Sequence, residues 1–170
     1  MHFQKSLLIA MVMCITPSYA QDTLPAFSGY PISETEVFKG NPKPVNLSSY
    51  AGARTFRTKL REGAALGPNF AGHYTVVTFG CGTQCQENWI IDAESGKILD
   101  RFSSNVGTLY QLDSLLMVVN PPDPQLKKAY EKHPEQPVLG TMDTTYEVLE
   151  NNKFKTIYKD KWVNVIKVLP

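Results

Sequence analysis

The sequence predicts a mainly β domain of the α+β class. The expected architecture is a single antiparallel meander sheet of about six strands, curved or sandwich-like, with one N-terminal flanking helix. Three observations carry this expectation. Segments 73–79, 89–91, 97–102, 115–119, 144–149 and 153–158 are rich in β-branched, aromatic and other apolar residues, with turn-forming residues between most of them. Segment 50–62 instead repeats apolar residues at helical spacing. Cys81 and Cys85 stand four apart in Gly80-Cys81-Gly82-Thr83-Gln84-Cys85, between the first two strand candidates, where they can face each other across a tight hairpin.

Residues 1–20 read as an export signal. Lys5 supplies a positive start, 7–15 is an apolar run, and Ser18-Tyr19-Ala20 carries small residues where a signal peptidase reads them. Cleavage is expected after Ala20. The apolar run is shorter than the roughly 20 residues needed to span a bilayer, and Thr16-Pro17 interrupts it, which weighs against a membrane anchor. Val12-Met13 precede Cys14 in place of the small residues expected before a lipid-modified cysteine. The expected location is therefore periplasmic or secreted, an oxidising setting in which Cys81 and Cys85 are the remaining cysteines. Of the 17 basic residues Lys5 falls in the signal, so the processed chain balances its 16 acidic residues. A neutral domain has no global field to draw nucleic acid or an anionic membrane, and no other run is apolar enough to span one.

The elements follow in order. Residues 21–46 form a Pro-rich arm, because Pro25, Pro31, Pro42 and Pro44 prevent a long regular element. The arm is expected to wrap the domain, with 36–39 offering an edge strand. Residues 47–170 form the single β-rich domain. Ser48-Ser49 offers a helix N-cap, Ala53, Phe56 and Leu60 make an i, i+3, i+7 stripe, and Gly63 is a stop. The cysteine loop joins strands 73–79 and 89–91, and 92–97 turns into the third strand. The unbroken apolar run 115–119 suits a strand buried on both faces, and the Pro-rich 120–124 ends it. Residues 125–133 suit a helical turn or two. Strands 144–149 and 153–158 flank Glu150-Asn151-Asn152, where asparagine tolerates the left-handed backbone of a tight hairpin. Residues 162–168 offer a last strand. Val76 and Val77 face opposite ways, as do Ile90 and Ile91. Both sheet faces therefore need cover, one from the helix and the other from curvature or a second layer.

Several residues bear on chemistry. A Cys81–Cys85 disulfide would mainly fix the shape of its loop. Redox chemistry of the thioredoxin kind uses two intervening residues at a helix N-terminus, whereas three residues intervene here and a strand follows. Cys81, Cys85 and His73 would suit a soft ion such as copper(I), but no fourth ligand is evident, and Met117 and Met142 read as core and loop. No metal and no cofactor are therefore expected. His73, with Tyr74 at a strand start, is either a general base or ligand contact, or a hydrogen-bonded structural residue. His133 reads as solvated. There is no Gly-x-Ser-x-Gly and no Gly-rich phosphate loop. Glu87, Asp92, Glu94, Asp100 and Asp113 are spread over strand ends and turns, with Asp92 a turn former. Arg54, Arg57 and Arg61 recur at i, i+3, i+7 near Lys59. They are candidate contacts for a carboxylate or phosphate, or simply a solvated face.

Three motifs follow one another: Ala71-Gly72-His73-Tyr74, then Gly80-Cys81-Gly82-Thr83-Gln84-Cys85, then Asp92-Ala93-Glu94-Ser95-Gly96-Lys97, with Asp113-Ser114 and an apolar strand later. In this order the chain resembles a group of small exported bacterial proteins of unknown function. The resemblance covers roughly 47–155 and implies a shared fold and export, not a reaction. A looser analogy links size, export and β content to periplasmic lysozyme inhibitors, with 104–110 as the comparable loop.

The functional expectation is an exported, non-catalytic binding domain with a disulfide-shaped hairpin loop. Its expected surface comprises His73, Tyr74, Thr83, Gln84, Gln86 and Trp89. The partner would be a protein or small molecule of the cell envelope. Two other classes stay open: a redox or metal-binding protein using Cys81, Cys85 and His73, and a lysozyme-type hydrolase inhibitor.

Overall fold

The computed structural model describes residues 24–125, 128, 132 and 143–160. The expected signal 1–20, His133, Met142 and the strand at 162–168 lie outside the described residues. So does most of the helical turn at 125–133.

The chain is mainly β, but its strands form two sheets rather than one. Strands β1 (Tyr74–Gly82), β2 (Cys85–Asp92) and β3 (Ile98–Ser104) make the first sheet. Strands β4 (Thr108–Tyr110), β5 (Leu116–Val119), β6 (Thr144–Glu150) and β7 (Lys153–Asp160) make the second. All pairings are antiparallel between sequence neighbours, so the meander order holds within each sheet. It breaks between β3 and β4. There the Asn120 side-chain oxygen accepts from the backbone N–H groups of Asn105 (2.7 Å) and Val106 (3.2 Å), and Gly107 takes φ +104°. This corner sends the chain into the second layer. Strand β4, three residues long, is too short to register as a periodic pattern in the sequence.

Alternation along the strands explains the layering. On one face of the first sheet Val77, Trp89, Ile91 and Ile98 pack with Ala53, Leu60 and Ala64 of the helical segment. On the other face Tyr74, Val76 and Ile90 meet Met117 and Leu149 of the second sheet. Leu116, Val118, Tyr146 and Val148 point out of the second sheet, where Phe27 and Tyr30 of the arm cover them. The two valines and two isoleucines that faced opposite ways thus belong to two different cores.

The helix α1 spans Arg57–Ala64 and follows a 3-10 turn, Ala53–Phe56. It lies after the arm instead of at the N-terminus, and it is shorter than the expected 50–62 because Ala53–Phe56 winds as a 3-10 turn; no side chain caps the helix start. Ser49 does not cap it. Its hydroxyl donates to the Asn46 carbonyl (2.7 Å) and accepts from the Ile98 N–H (2.9 Å). Gly63 lies inside the helix rather than ending it. A Cβ there would lie 2.5 Å from a Val77 methyl, so glycine lets α1 settle onto β1.

The expected edge strand at 36–39 is absent. Glu34–Glu36 is a 3-10 turn closed by a capping box from Ser33. The arm is held by backbone hydrogen bonds at three places: Leu115 N–H to the Tyr30 carbonyl (2.8 Å), Phe38 N–H to Gly72 (3.0 Å), and Asn46 N–H to Gly96 (2.7 Å). The Ser114 hydroxyl reaches the carbonyls of Phe27 and Tyr30. Three of the four motifs behind the resemblance, around Gly72, Gly96 and Ser114, are therefore the places where the arm docks.

Candidate functional site

A groove of about 860 Å³ opens where β1 begins. The arm near 32–39 forms one wall and the β6–β7 turn the other, with His73 and Tyr74 between them. Local backbone geometry builds this corner. Ala71 (φ +46°) and Gly72 (φ +79°) are both left-handed, and alanine in that region costs about 1–2 kcal/mol. Gly72 is required, because a Cβ there would lie 3.1 Å from the Glu36 carbonyl oxygen and from Ile32. Strain of this kind persists where the surroundings fix it, and it gathers at binding sites.

His73 Nδ1 lies 3.2 Å from Asp92 Oδ1. Asp92 is itself fixed by the Glu94 N–H (2.9 Å) and the Ser95 hydroxyl. Burial pushes the Asp92 carboxyl up, but hydrogen bonds from Ser95, His73 and the Glu94 backbone, with the attraction of His73, outweigh it and hold the group below its ordinary value. An ionised carboxylate only accepts, so Nδ1 carries the proton that faces Asp92, and Nε2 is directed away from Asp92. The His73 ring rests on Tyr74 with centroids 4.1 Å apart. The Tyr74 hydroxyl donates to Asn152 Oδ1. Burial, then the charge of Asp92, raises the Tyr74 pKa, so the hydroxyl stays a donor. Asn151 and Asn152 take φ +51° and +60°, the left-handed hairpin expected from their sequence. Glu36, Glu94 and Glu150 line the groove with Lys39, and Glu150 is also paired with Lys155 at 3.7 Å. The groove is rich in hydrogen-bond acceptors.

The other expected contacts lie elsewhere. Cys81 and Cys85 are at disulfide distance, with Cα atoms 5.1 Å apart, and Thr83 and Gln84 form the turn between them. This turn closes the far end of β1, eight residues along the strand from Tyr74, or roughly 26 Å at the usual rise. Gln84, Gln86 and Asn105 line a separate recess there. His73 is thus not brought to the cysteines, and the three do not share a site. Trp89 is fully buried under α1, with Tyr50 and Phe56 against its ring, so it is core and not binding surface. Arg101 lies over the same ring at 5.2 Å and grips the buried Glu87 carboxylate in a two-pronged pair at 2.6 and 2.8 Å. Arg54, Arg57 and Arg61 gather at a third recess. Thr108–Tyr110, within the loop compared with hydrolase inhibitors, is paired in β4.

Comparison with protein-family models, curated proteins and solved structures finds no match.

The sequence singles out His73 and Tyr74 and expects the arm to wrap the domain, but it does not bring the arm or Asn152 to this pair. The sequence signal for Asn152 is the Asn151-Asn152 turn, and nothing local places that turn opposite Tyr74, 78 residues away.

Proposed function

We propose that this chain is an exported binding module whose ligand lies in the groove over His73 and Tyr74. The observation that supports this reading is the acceptor-rich lining: a histidine oriented by Asp92, three carboxylates and two asparagines around one recess. Such a lining suits a ligand that donates hydrogen bonds, meaning hydroxyl or amine groups, with the Tyr74–His73 pair as a flat surface beside it. The resemblance to small exported bacterial proteins is consistent with such a role.

The test is an NMR titration of isotope-labelled protein with amino-sugar oligosaccharides, polyamines and basic peptides. Resonances of Gly72, His73, Tyr74 and Asn152 should move together, and His73→Ala should weaken binding about tenfold, the effect of losing one charge-assisted or well-aligned hydrogen bond. Perturbation confined to residues 82–86 would move the site to the hairpin tip and sink the groove assignment.

A second reading follows from the Asp92–His73 pair. An imidazole oriented by a carboxylate can act as a general base on water. Ligand turnover during the titration, lost in His73→Gln, would favour hydrolysis over simple binding.

A further inference from the structure

We infer that the recess beside α1 is a second, independent site, built to hold a phosphate or carboxylate oxyanion with Arg54, Arg57 and Arg61. It does not depend on the groove over His73.

The chain has four arginines. One, Arg101, is neutralised by Glu87. The other three line one recess of about 470 Å³, floored by Val45, Asn46 and Leu47. Among the described residues no carboxylate pairs with any of the three, whereas Lys39, Lys155 and Lys159 each have one within 4.0 Å. The contact made by Arg54 is with a neutral group, the Ser48 hydroxyl at 3.1 Å. That bond holds the guanidinium in place without cancelling its charge.

The placement also opposes what the helix itself prefers. Arg57 is the first residue of α1 and Arg54 lies in the 3-10 turn before it. Cations at a helix start oppose the macrodipole. Arg57 and Arg61 are an i, i+4 like-charge pair, which destabilises an isolated helix further. The helix has eight residues, no acidic residue in its first turn and no side-chain cap. At the start of the helix two local rules are thus set aside toward positive charge at one recess, a cation on its first residue and a like-charge pair, while Arg61 in the last turn suits the dipole. Such one-sided departures are expected where a ligand supplies the missing partner. An oxyanion supplies it: guanidinium groups present planar pairs of donors that match phosphate and carboxylate oxygens.

The experiment uses the processed chain and inorganic phosphate, read by arginine side-chain NMR and by thermal melting. Binding should saturate and weaken with added salt. Arg54→Gln, Arg57→Gln and Arg61→Gln should each lower affinity about tenfold, the loss of one charged hydrogen bond. Lys59→Gln, on the same helix but outside the recess, should leave it unchanged. Without phosphate the triple variant should melt no lower than wild type, because removing like charges relieves the helix. With phosphate, only wild type should gain stability. Phosphatidylglycerol vesicles run in parallel separate the sources of the group. Capture that free phosphate reverses assigns the oxyanion to a lipid headgroup, and phosphate binding without capture assigns it to a small solute. Non-saturating binding, or an equal loss in Lys59→Gln, overturns the site.

Discussion

Gly96→Ala should loosen the arm, and its cost can be worked from two distances and one angle. Gly96 has φ +74°, and a Cβ built on it would lie 2.3 Å from the Pro44 carbonyl oxygen and 3.2 Å from its carbon. Both are backbone atoms, held in place by the Asn46 N–H bond to Gly96 (2.7 Å) and the Lys43 N–H bond to Ala93 (2.8 Å). The left-handed backbone costs alanine about 1–2 kcal/mol, and a less flexible unfolded chain returns about 0.4–1 kcal/mol. Forcing the arm aside adds about 1–3 kcal/mol, the usual cost of overpacking. Gly52→Ala is the control, since Gly52 has φ +80° but nothing within 4 Å of its built Cβ. It carries the backbone cost without the clash. In urea denaturation, with a slope of about 1–3 kcal/mol/M, the Gly96 variant should unfold roughly 1 M below the control. It should also be cut faster by trypsin at Lys39, which Gly40 follows. Equal midpoints would refute the claim that the 92–97 turn clamps the arm.

Two further outcomes are expected. The lowered Asp92 pKa means that this carboxylate stabilises the fold above its ordinary value of 3.8, and that this contribution is lost as pH falls through the lower folded-state value. The stability gap between wild type and Asp92→Asn should therefore shrink as pH falls below about 4, and a gap independent of pH would contradict an ionised, hydrogen-bonded Asp92. Replacing Cys81 and Cys85 with serine should cost about 2 kcal/mol, the loop-closure value for a five-residue ring. NMR shifts should be confined to 80–87, and a change reaching His73 would show the two ends of β1 to be coupled.

The paired apolar residues show how far local pattern reaches. Val76-Val77 and Ile90-Ile91 imply two covered faces, because side chains alternate along any strand. The pattern is silent on whether curvature or a second sheet covers the far face. Here the decision falls at Asn120, whose side chain captures Asn105 and Val106 across 15 and 14 residues. Similarly, Trp89 reads as a candidate contact beside the cysteine loop. It is buried because alternation places it on the side that α1 covers.

The sequence alone established the segments of β1 to β3 and β5 to β7, the two asparagine- and cysteine-flanked hairpins and the apolar stripe of the helical segment. These depend on side-chain alternation and turn chemistry, which act over a few neighbouring residues. Tertiary structure decided that the strands divide into two sheets. It also set Tyr74 against Asn152, ran the arm across three distant motifs, and gathered three arginines at one recess. Those outcomes rest on contacts between residues tens of positions apart, where shape and exclusion of water select the partner and no local spacing records it.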